Sequence, residues 1–243
     1  MIKIISDYII AFILCVIFSP IICIVALLIW KQDYKNPFYI APRVGKNNII
    51  FQMIKFRTMV VNADDSGVDS TSINDPRITS LGATIRKFKI DEIPNLFNIL
   101  KGEMSFVGPR PNVKRETDLY TQEEKHLLSV KPGITDFASI VFSDEGEILK
   151  NSMDPDLDYN QLIRPWKSRL GLFYIDNKNY FSDIFIIYLT ILSLFAREYT
   201  LSKIYLFFSK KGASKKLMRI IRRDSILQPY PPPGMNEIVR SRM

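Results

Sequence analysis

Asp91 and Glu92 stand side by side in IDEIPNLFNILKGEMSFVGPRP, the stretch from Ile90 to Pro111. Carboxylates act as nucleophiles, as general bases or as ligands of a hard cation. One placed at a helix N-terminus lies in a positive field and, with Lys and Arg nearby, stays ionised. The same helix end attracts phosphate. A purely structural reading is also available, because acids are favoured at helix N-termini without any chemistry. Arg110 closes the stretch between Pro109 and Pro111. Its backbone is preset by the prolines, and its planar fork suits a phosphate or a carbonyl-rich base. Upstream, NIIFQMIKFRTM alternates as a strand from Asn48 to Met59, with Lys55 and Arg57 on one face. They form either a solvated edge or two cations aimed at one anion.

The elements around these residues follow from local signals. Pro94 belongs in the first turn of a helix, so the two acids sit at or just before its start. The helix continues to about Leu100, with Gly102 as its stop and Leu96, Phe97, Ile99 and Leu100 as its buried stripe. LGATIRKFK predicts a short helix holding Arg86, after a polar surface loop from Asn62 to Ser80. Thr121 and Glu124 form a capping box opening a helix through Ser129, on which His126 is a surface residue. FASIVF (137–142) reads as a strand, and Asp144, Glu145 and Glu147 as a solvated loop. Ser182 and Asp183 cap an apolar helix from Ile184 to Ala196, which is too short to cross a bilayer. It lies either in the core or in the membrane interface. Beyond it, Lys210, Lys211, Lys215, Lys216, Arg219, Arg222 and Arg223 form a basic cluster without an acid among them. That cluster reads as a lipid-attracting segment or a disordered tail, and QPYPPPG supports partial disorder.

The N-terminus carries a different signal. From Tyr8 to Trp30 there is no charged residue, a length sufficient to reach across the hydrocarbon layer. A signal peptide fits poorly, since Lys3 is offset by Asp7 and no small-residue cleavage site follows. Hydropathy alone favours a straight transmembrane anchor. Ser19-Pro20 in its middle favours a bend, and a strong bend would return the helix to the face it entered. Lys31, Lys35, Arg43 and Lys46 on the following flank do not separate these readings.

Composition sets the outer bounds. The chain has 243 residues, 47% of them hydrophobic, and a net charge of +8 from 33 basic and 25 acidic residues. Such a chain folds around a real core and seeks anions. One histidine and two cysteines exclude a Cys/His zinc site by shortage. Cys15 and Cys23, eight apart on one helix, are about 12 Å apart and cannot form a disulfide. They are apolar filler in a reducing compartment. The basic residues are not interleaved with aromatics along one element, so nucleic acid is not an expected partner.

KFRTM, IRKFKIDEIPNLFNILKGEMSFVGPRP and VKPGIT, in this order behind a hydrophobic helix with a central Ser-Pro, resemble the bacterial sugar transferases. More narrowly, they resemble the monotopic phosphoglycosyl transferases that act on polyprenyl phosphate. The resemblance covers roughly residues 1–200. It implies an α+β fold in which an N-terminal re-entrant membrane helix, broken at Ser19-Pro20, joins a small, mostly helical catalytic domain. That domain would have a short sheet and interfacial amphipathic helices. The implied organisation is a membrane helix over 1–35, a catalytic domain over 36–200 and a basic, partly disordered tail over 201–243. The implied location is the bacterial inner membrane, with both helix ends and the catalytic domain on the cytoplasmic face.

By the same resemblance, Asp91 and Glu92 are the catalytic dyad. Asp91 attacks the β-phosphate of a UDP-sugar, displaces UMP and holds the phosphosugar until polyprenyl phosphate accepts it. Magnesium is implied at Asp91 and Glu92. Lys55, Arg86 and Arg110 match positions that handle phosphates or the nucleotide, and Arg57, Pro109 and Pro111 are counted with them as substrate-binding. Membrane lipids are expected partners, and a homodimer is left open. Two departures stand out. PGITDFASI replaces the family's PGITGWAQV at Asp136 and Ser139, and Gly171 occupies a position where relatives carry an aspartate. The competing reading is a non-enzymatic, membrane-associated module that binds anionic lipids through its charge. A polytopic-type transferase is disfavoured because only one segment is long enough to span.

Overall fold

A computed structural model describes residues 2–68, 70–72 and 74–241. The chain opens with α1 (Ile2–Asp33), an uninterrupted helix that passes through Pro20. Pro20 has no N–H to give the Val16 carbonyl four residues back. The Ser19 hydroxyl donates to that carbonyl instead, at 2.8 Å, so the Ser-Pro pair repairs its own missing bond. The expected break at Ser19-Pro20 is therefore absent as an interruption of helical structure. Ala11, Ile22 and Ile29 mark the stripe of α1 that is buried against the body, while most of its other apolar side chains are exposed.

An antiparallel hairpin of β1 (Phe38–Val44) and β2 (Ile50–Phe56) follows, with Phe38 opposite Phe56 and Val44 opposite Ile50. Next come α2 (Ser80–Lys87), α3 (Asn95–Leu100), β3 (Ser105–Val107), α4 (Lys114–Asp118) and β4 (Gly133–Thr135). β3 and β4 pair in parallel, Ser105 with Gly133 and Val107 with Thr135. The remaining elements are all helical: α5 (Phe137–Val141), α6 (Glu145–Ile148), α7 (Pro155–Asp158), α8 (Arg164–Asn177), α9 (Tyr180–Ser193), α10 (Arg197–Lys210) and α11 (Lys215–Arg222). The fold is α+β and mostly helical, with a small sheet, as expected.

Three apolar clusters hold these parts together. The largest joins Phe137 of α5, Leu170 of α8, Ile186 of α9, Phe208 of α10 and Ile221 of α11. A second sets Ala11 of α1 against Met53, Ile99 and Met104, and a third sets Ile22 and Ile29 against Phe56 and Ile85. The first two turns of α1 are tied down by polar contacts. Lys3 pairs with Asp183 of α9, and Asp7 accepts from the Ser105 hydroxyl at 2.7 Å. At the other end, Asp33 is gripped by the Arg57 guanidinium. α1 thus rests on the body along its whole length.

Several sequence expectations are corrected here. FASIVF is helical (α5), because Asp136 caps it and accepts from the Ser139 N–H and hydroxyl, both at 2.6 Å. A local cap overrides a strand-like run of apolar side chains. Those two departures from the family pattern are thus partners in one cap. The acids at 144–147 form no loose loop, since Asp144 pairs with Arg197 and Arg223, and Glu145 pairs with Lys167. The capping box at Thr121 is present, but its helix is a 3₁₀ segment from Glu124 to Ser129, and Glu124 is fully buried against Arg164. Asn179, not Ser182-Asp183, is the N-cap of α9, and Ser182 answers as the reciprocal partner.

Residues 201–241 form ordered structure that shares the main core. Leu201, Ile204, Phe208, Leu217, Met218 and Ile221 are all buried. Tyr230 of the proline-rich stretch stacks on Trp166 with ring centroids 4.4 Å apart, and the Pro231 and Pro233 carbonyls accept from Arg169 and Thr121. A basic helix with an apolar face becomes stable once that face finds a core. Both cysteines are free.

Candidate active site

The acidic pair is delivered by a short reversal of the chain. Thr79 caps α2, its hydroxyl accepting from the Gly82 N–H at 2.9 Å. After α2, Lys89 adopts the left-handed conformation (φ 56°), turning the chain into a 3₁₀ turn from Ile90 to Glu92. Pro94 then opens α3. The acids therefore lie just before the helix, as its proline requires, and Gly102 at φ +79° stops it. The stripe is corrected in two places: Phe97 is exposed, and Asn95 and Asn98 are buried alongside Leu96 and Ile99.

Asn98 explains how the acids meet Lys55. Its side chain accepts from the Ile54 N–H at 2.9 Å and donates to the Gln52 carbonyl at 2.6 Å and to Glu103 at 2.7 Å. This locks α3 against β2 and brings Lys55 to within 3.3 Å of Glu92. The sequence reading missed Asn98; an asparagine inside an otherwise apolar helix was the available signal.

Arg110 arrives from the other side. Gly108 and Gly133 let two backbones approach closely, for a Cβ on Gly133 would lie 2.1 Å from the Gly108 nitrogen. The Gly108 N–H donates to the Thr135 carbonyl at 3.1 Å and the Gly133 N–H to the Pro109 carbonyl at 3.0 Å. Arg110, between its prolines, donates from Nη1 to Glu92 Oε2 at 2.6 Å and to the Ile134 carbonyl at 2.5 Å. Its Nη2 donates to Glu92 Oε1 at 2.7 Å. Gly171 sits behind this segment in α8; a Cβ there would lie 2.8 Å from Leu127 Cδ2 and 3.8 Å from Pro109 Cγ. The departure at Gly171 is thus where α8 packs closely against the arginine-bearing turn.

The two acids have opposite environments. Burial disfavours the Glu92 charge, but Arg110 and then Lys55 outweigh it and hold this carboxyl well below the usual carboxylate range. Asp91 is pushed up, first by burial and also by the neighbouring Glu92 charge, while Lys55, Arg86 and Lys89 temper the rise. Asp91 Oδ1 is buried and, among the described residues, has no hydrogen-bond partner. Burial likewise pushes the Lys55 ammonium down, against the pull of Glu92.

The structure brings Lys55, Arg86, Arg110, Asp91 and Glu92 together and adds Lys89, which the sequence reading had not singled out. It does not bring Arg57 there. That guanidinium forks onto Asp33, with contacts of 2.5 and 2.7 Å. Lys55 and Arg57 share an alternation face but not an anion, because β2 ends at Phe56 and the chain leaves the sheet. Pro109 and Pro111 act through backbone shape. Among the described residues, no three His, Cys, Asp or Glu side chains converge on a metal-sized point.

A cation-ringed carboxylate with a free oxygen is equipped to approach a phosphorus atom. Comparisons with known proteins give the family. The family model described as bacterial sugar transferase matches residues 1–197. An uncharacterized sugar transferase of Haemophilus influenzae is 34% identical over 199 residues, covering 76% of this chain and 39% of the relative. The UDP-N-acetylgalactosamine-undecaprenyl-phosphate N-acetylgalactosaminephosphotransferase of Aeromonas hydrophila is 33% identical, covering 76% and 41%. The UDP-glucose:undecaprenyl-phosphate glucose-1-phosphate transferase of Escherichia coli is 33% identical, covering 66% and 36%. In each of these three cases the aligned part is about two-fifths of the relative's length. On a match that takes in most of its residues, the chain belongs to the bacterial sugar transferase family.

Proposed function

We propose that this protein transfers a sugar 1-phosphate from a UDP-sugar to polyprenyl phosphate through a covalent intermediate on Asp91, releasing UMP. The observation that carries this reading is the asymmetry of the dyad. Glu92 has both oxygens engaged by Arg110 and Lys55, whereas the adjacent Asp91 keeps a buried oxygen without a partner. The acid that is not spent on an ion pair is the one free to form a bond.

In the first step an Asp91 carboxylate oxygen bonds to the β-phosphorus, and the bond from that phosphorus to the bridging oxygen breaks. UMP leaves with the bonding pair, and an acyl phosphate of the sugar remains on Asp91. In the second step a polyprenyl phosphate oxygen bonds to the same phosphorus and the Asp91 carboxylate departs. A carboxylate approaching an anionic phosphoryl group is repelled, so Lys55, Arg86, Lys89 and Arg110 reduce the repulsion. Magnesium, when bound, would neutralise the diphosphate. It commonly takes one or two carboxylates with the remaining oxygens from phosphate and water, and Asp91 Oδ1 fits as such a donor. Glu92 would join only by giving up part of its hold on Arg110.

The setting we propose is the cytoplasmic face of the bacterial inner membrane, with α1 re-entrant. This is supported by the contacts of α1 at both ends: Lys3 and Asp7 against α9 and β3, and Asp33 against Arg57. A helix tied at both ends to one body has both ends on one side. The exposed apolar residues of α1, with Phe181, Ile184 and Phe195, provide the lipid-facing surface. The decisive experiment incubates purified protein with magnesium and a panel of UDP-sugars, without acceptor, and looks by intact-mass spectrometry for a sugar-phosphate adduct. An adduct formed by the wild type and lost in Asp91→Asn is the expected result. Turnover retained by Asp91→Asn would overturn the assignment.

A further inference from the structure

A cavity is lined by neither Asp91 nor Glu92. It measures about 320 Å³ and opens to the surface where the first turns of α1 meet β3, the Lys131–Pro132 turn and the start of α9. That volume is at the lower end for a small-molecule site. Four lysines line it: Lys3, Lys46, Lys131 and Lys178. Its two acids are already engaged, Asp183 by Lys3 and Tyr174, and Asp7 by Ser105. Among the described residues, no carboxylate forms an ion pair with Lys46, Lys131 or Lys178. Lys131 rests over the ring of Tyr8, 5.9 Å from its centroid. The Lys178 ammonium is pushed down by burial and by Lys3 and Lys46, against the weaker pull of Asp183 and Asp176.

Much of the remaining lining is apolar, including Ile99, Met104, Val107 and Val130, with Ser105, Ser129 and Asn179 among its polar members. Beside it lie the exposed Ile4 and Ile5 of α1 and Phe181 and Ile184 of α9. Unpaired ammonium groups above an apolar floor, next to an apolar outer surface, match a molecule with an anionic head and a hydrocarbon chain. Neither Asp91 nor Glu92 is among the residues that line this cavity.

We propose that this cavity binds the phosphate of an anionic amphiphile, with Lys46, Lys131 and Lys178 around the phosphate and the chain lying along α1 and α9. A membrane phospholipid and polyprenyl phosphate share that chemistry. The inference rests on the membrane placement of α1 proposed above and not on the transfer reaction.

The test places the full-length protein in phosphatidylcholine nanodiscs containing a trace of phosphatidylglycerol with a photoreactive group high on its acyl chain, and maps adducts by peptide mass spectrometry. Adducts are expected on the peptides holding Ile4, Tyr8 and Tyr180. Lys46→Gln/Lys178→Gln should reduce them by at least about tenfold, while adducts at Phe195 persist and report an intact, membrane-bound fold. Displacement by unlabelled phosphatidylglycerol identifies a phospholipid as the source. Displacement by undecaprenyl phosphate alone identifies the acceptor lipid. The proposal is overturned if a phosphatidylcholine probe labels these peptides equally, if the double variant labels undiminished, or if inorganic phosphate displaces the probe. Sugar transfer is not the readout, so a failure of the Asp91 assignment would leave this result intact.

Discussion

Arg110 grips Glu92 with two nitrogens, Nη1 to Oε2 at 2.6 Å and Nη2 to Oε1 at 2.7 Å, while the adjoining Asp91 has no such partner. Side-by-side acids are thereby given different tasks. Glu92 is held by Arg110 and Lys55, and Asp91 keeps an unpartnered oxygen for the nucleophilic role proposed above.

The two acids should therefore fail differently. Asp91→Asn should lower turnover by on the order of 10⁶-fold, as removal of a nucleophile does, and should abolish the trapped adduct. Glu92→Gln should keep a slow but measurable adduct, because the nucleophile remains while its cationic surroundings loosen. Single-turnover kinetics with intact-mass detection separates these outcomes.

Arg110→Ala removes the fork and leaves Glu92, whose side chain is only 16% exposed, with Lys55 as its remaining ionic partner. Breaking such a pair costs about 3 kcal/mol, the lower end of the range for buried pairs because Arg110 itself is partly exposed. Arg110→Lys should recover part of that loss, since it restores the charge but not the two-point geometry. Denaturant unfolding in detergent measures both.

The pH dependence follows from the signs. Asp91 has a folded pKa raised by burial, so its protonation favours the fold. Its contribution is fully present below the unfolded value and is lost as pH rises through the folded one. Asp91→Asn should therefore be more thermostable than wild type at pH 7, with the difference shrinking towards pH 4. Glu92 has a depressed pKa, so its contribution is present above its ordinary value and is lost only as pH falls through the folded value, below the usual carboxylate range. Activity should show an acid limb set by Asp91 and lying above the ordinary aspartate pKa. Melting curves and kcat/KM profiles of both forms check these signs.

Gly133→Ala and Gly171→Ala should differ in severity. The first places a methyl 2.1 Å from the Gly108 backbone nitrogen, and the second places one 2.8 Å from the end of the Leu127 side chain. Backbone cannot yield as a leucine rotamer can, so Gly133→Ala should cost about 3 kcal/mol or more and Gly171→Ala about 1. Thermal unfolding of the two variants would reveal the order.

The topology of α1 is open to direct labelling. With Cys15 and Cys23 replaced by serine, single cysteines introduced at Ser6 and Lys35 should both react with an impermeant maleimide from the cytoplasmic side of inverted vesicles. Reaction of only one of them from that side would establish a straight span.

What the sequence determined by itself was local. The dyad's place before a helix, the role of Pro94, the stop at Gly102, the cap at Thr121 and the apolar run of α1 were all legible, because each depends on residues a few positions apart. The family motifs lie in the same short windows. What lay beyond reach depends on contacts between distant segments. Arg57 goes to Asp33 and not to the anion of Lys55, since the path of the chain after Phe56 decides its reach. Asp91 and Glu92 look alike in sequence and differ only because Arg110, 18 residues past Glu92, is brought over by the Gly108–Gly133 crossing. The segment beyond 200 looked like a tail until the core supplied a surface for its apolar face. Tertiary structure decided these cases because an ionic or apolar group takes its energy from its final neighbours, and sequence spacing names those neighbours only within a turn or a strand.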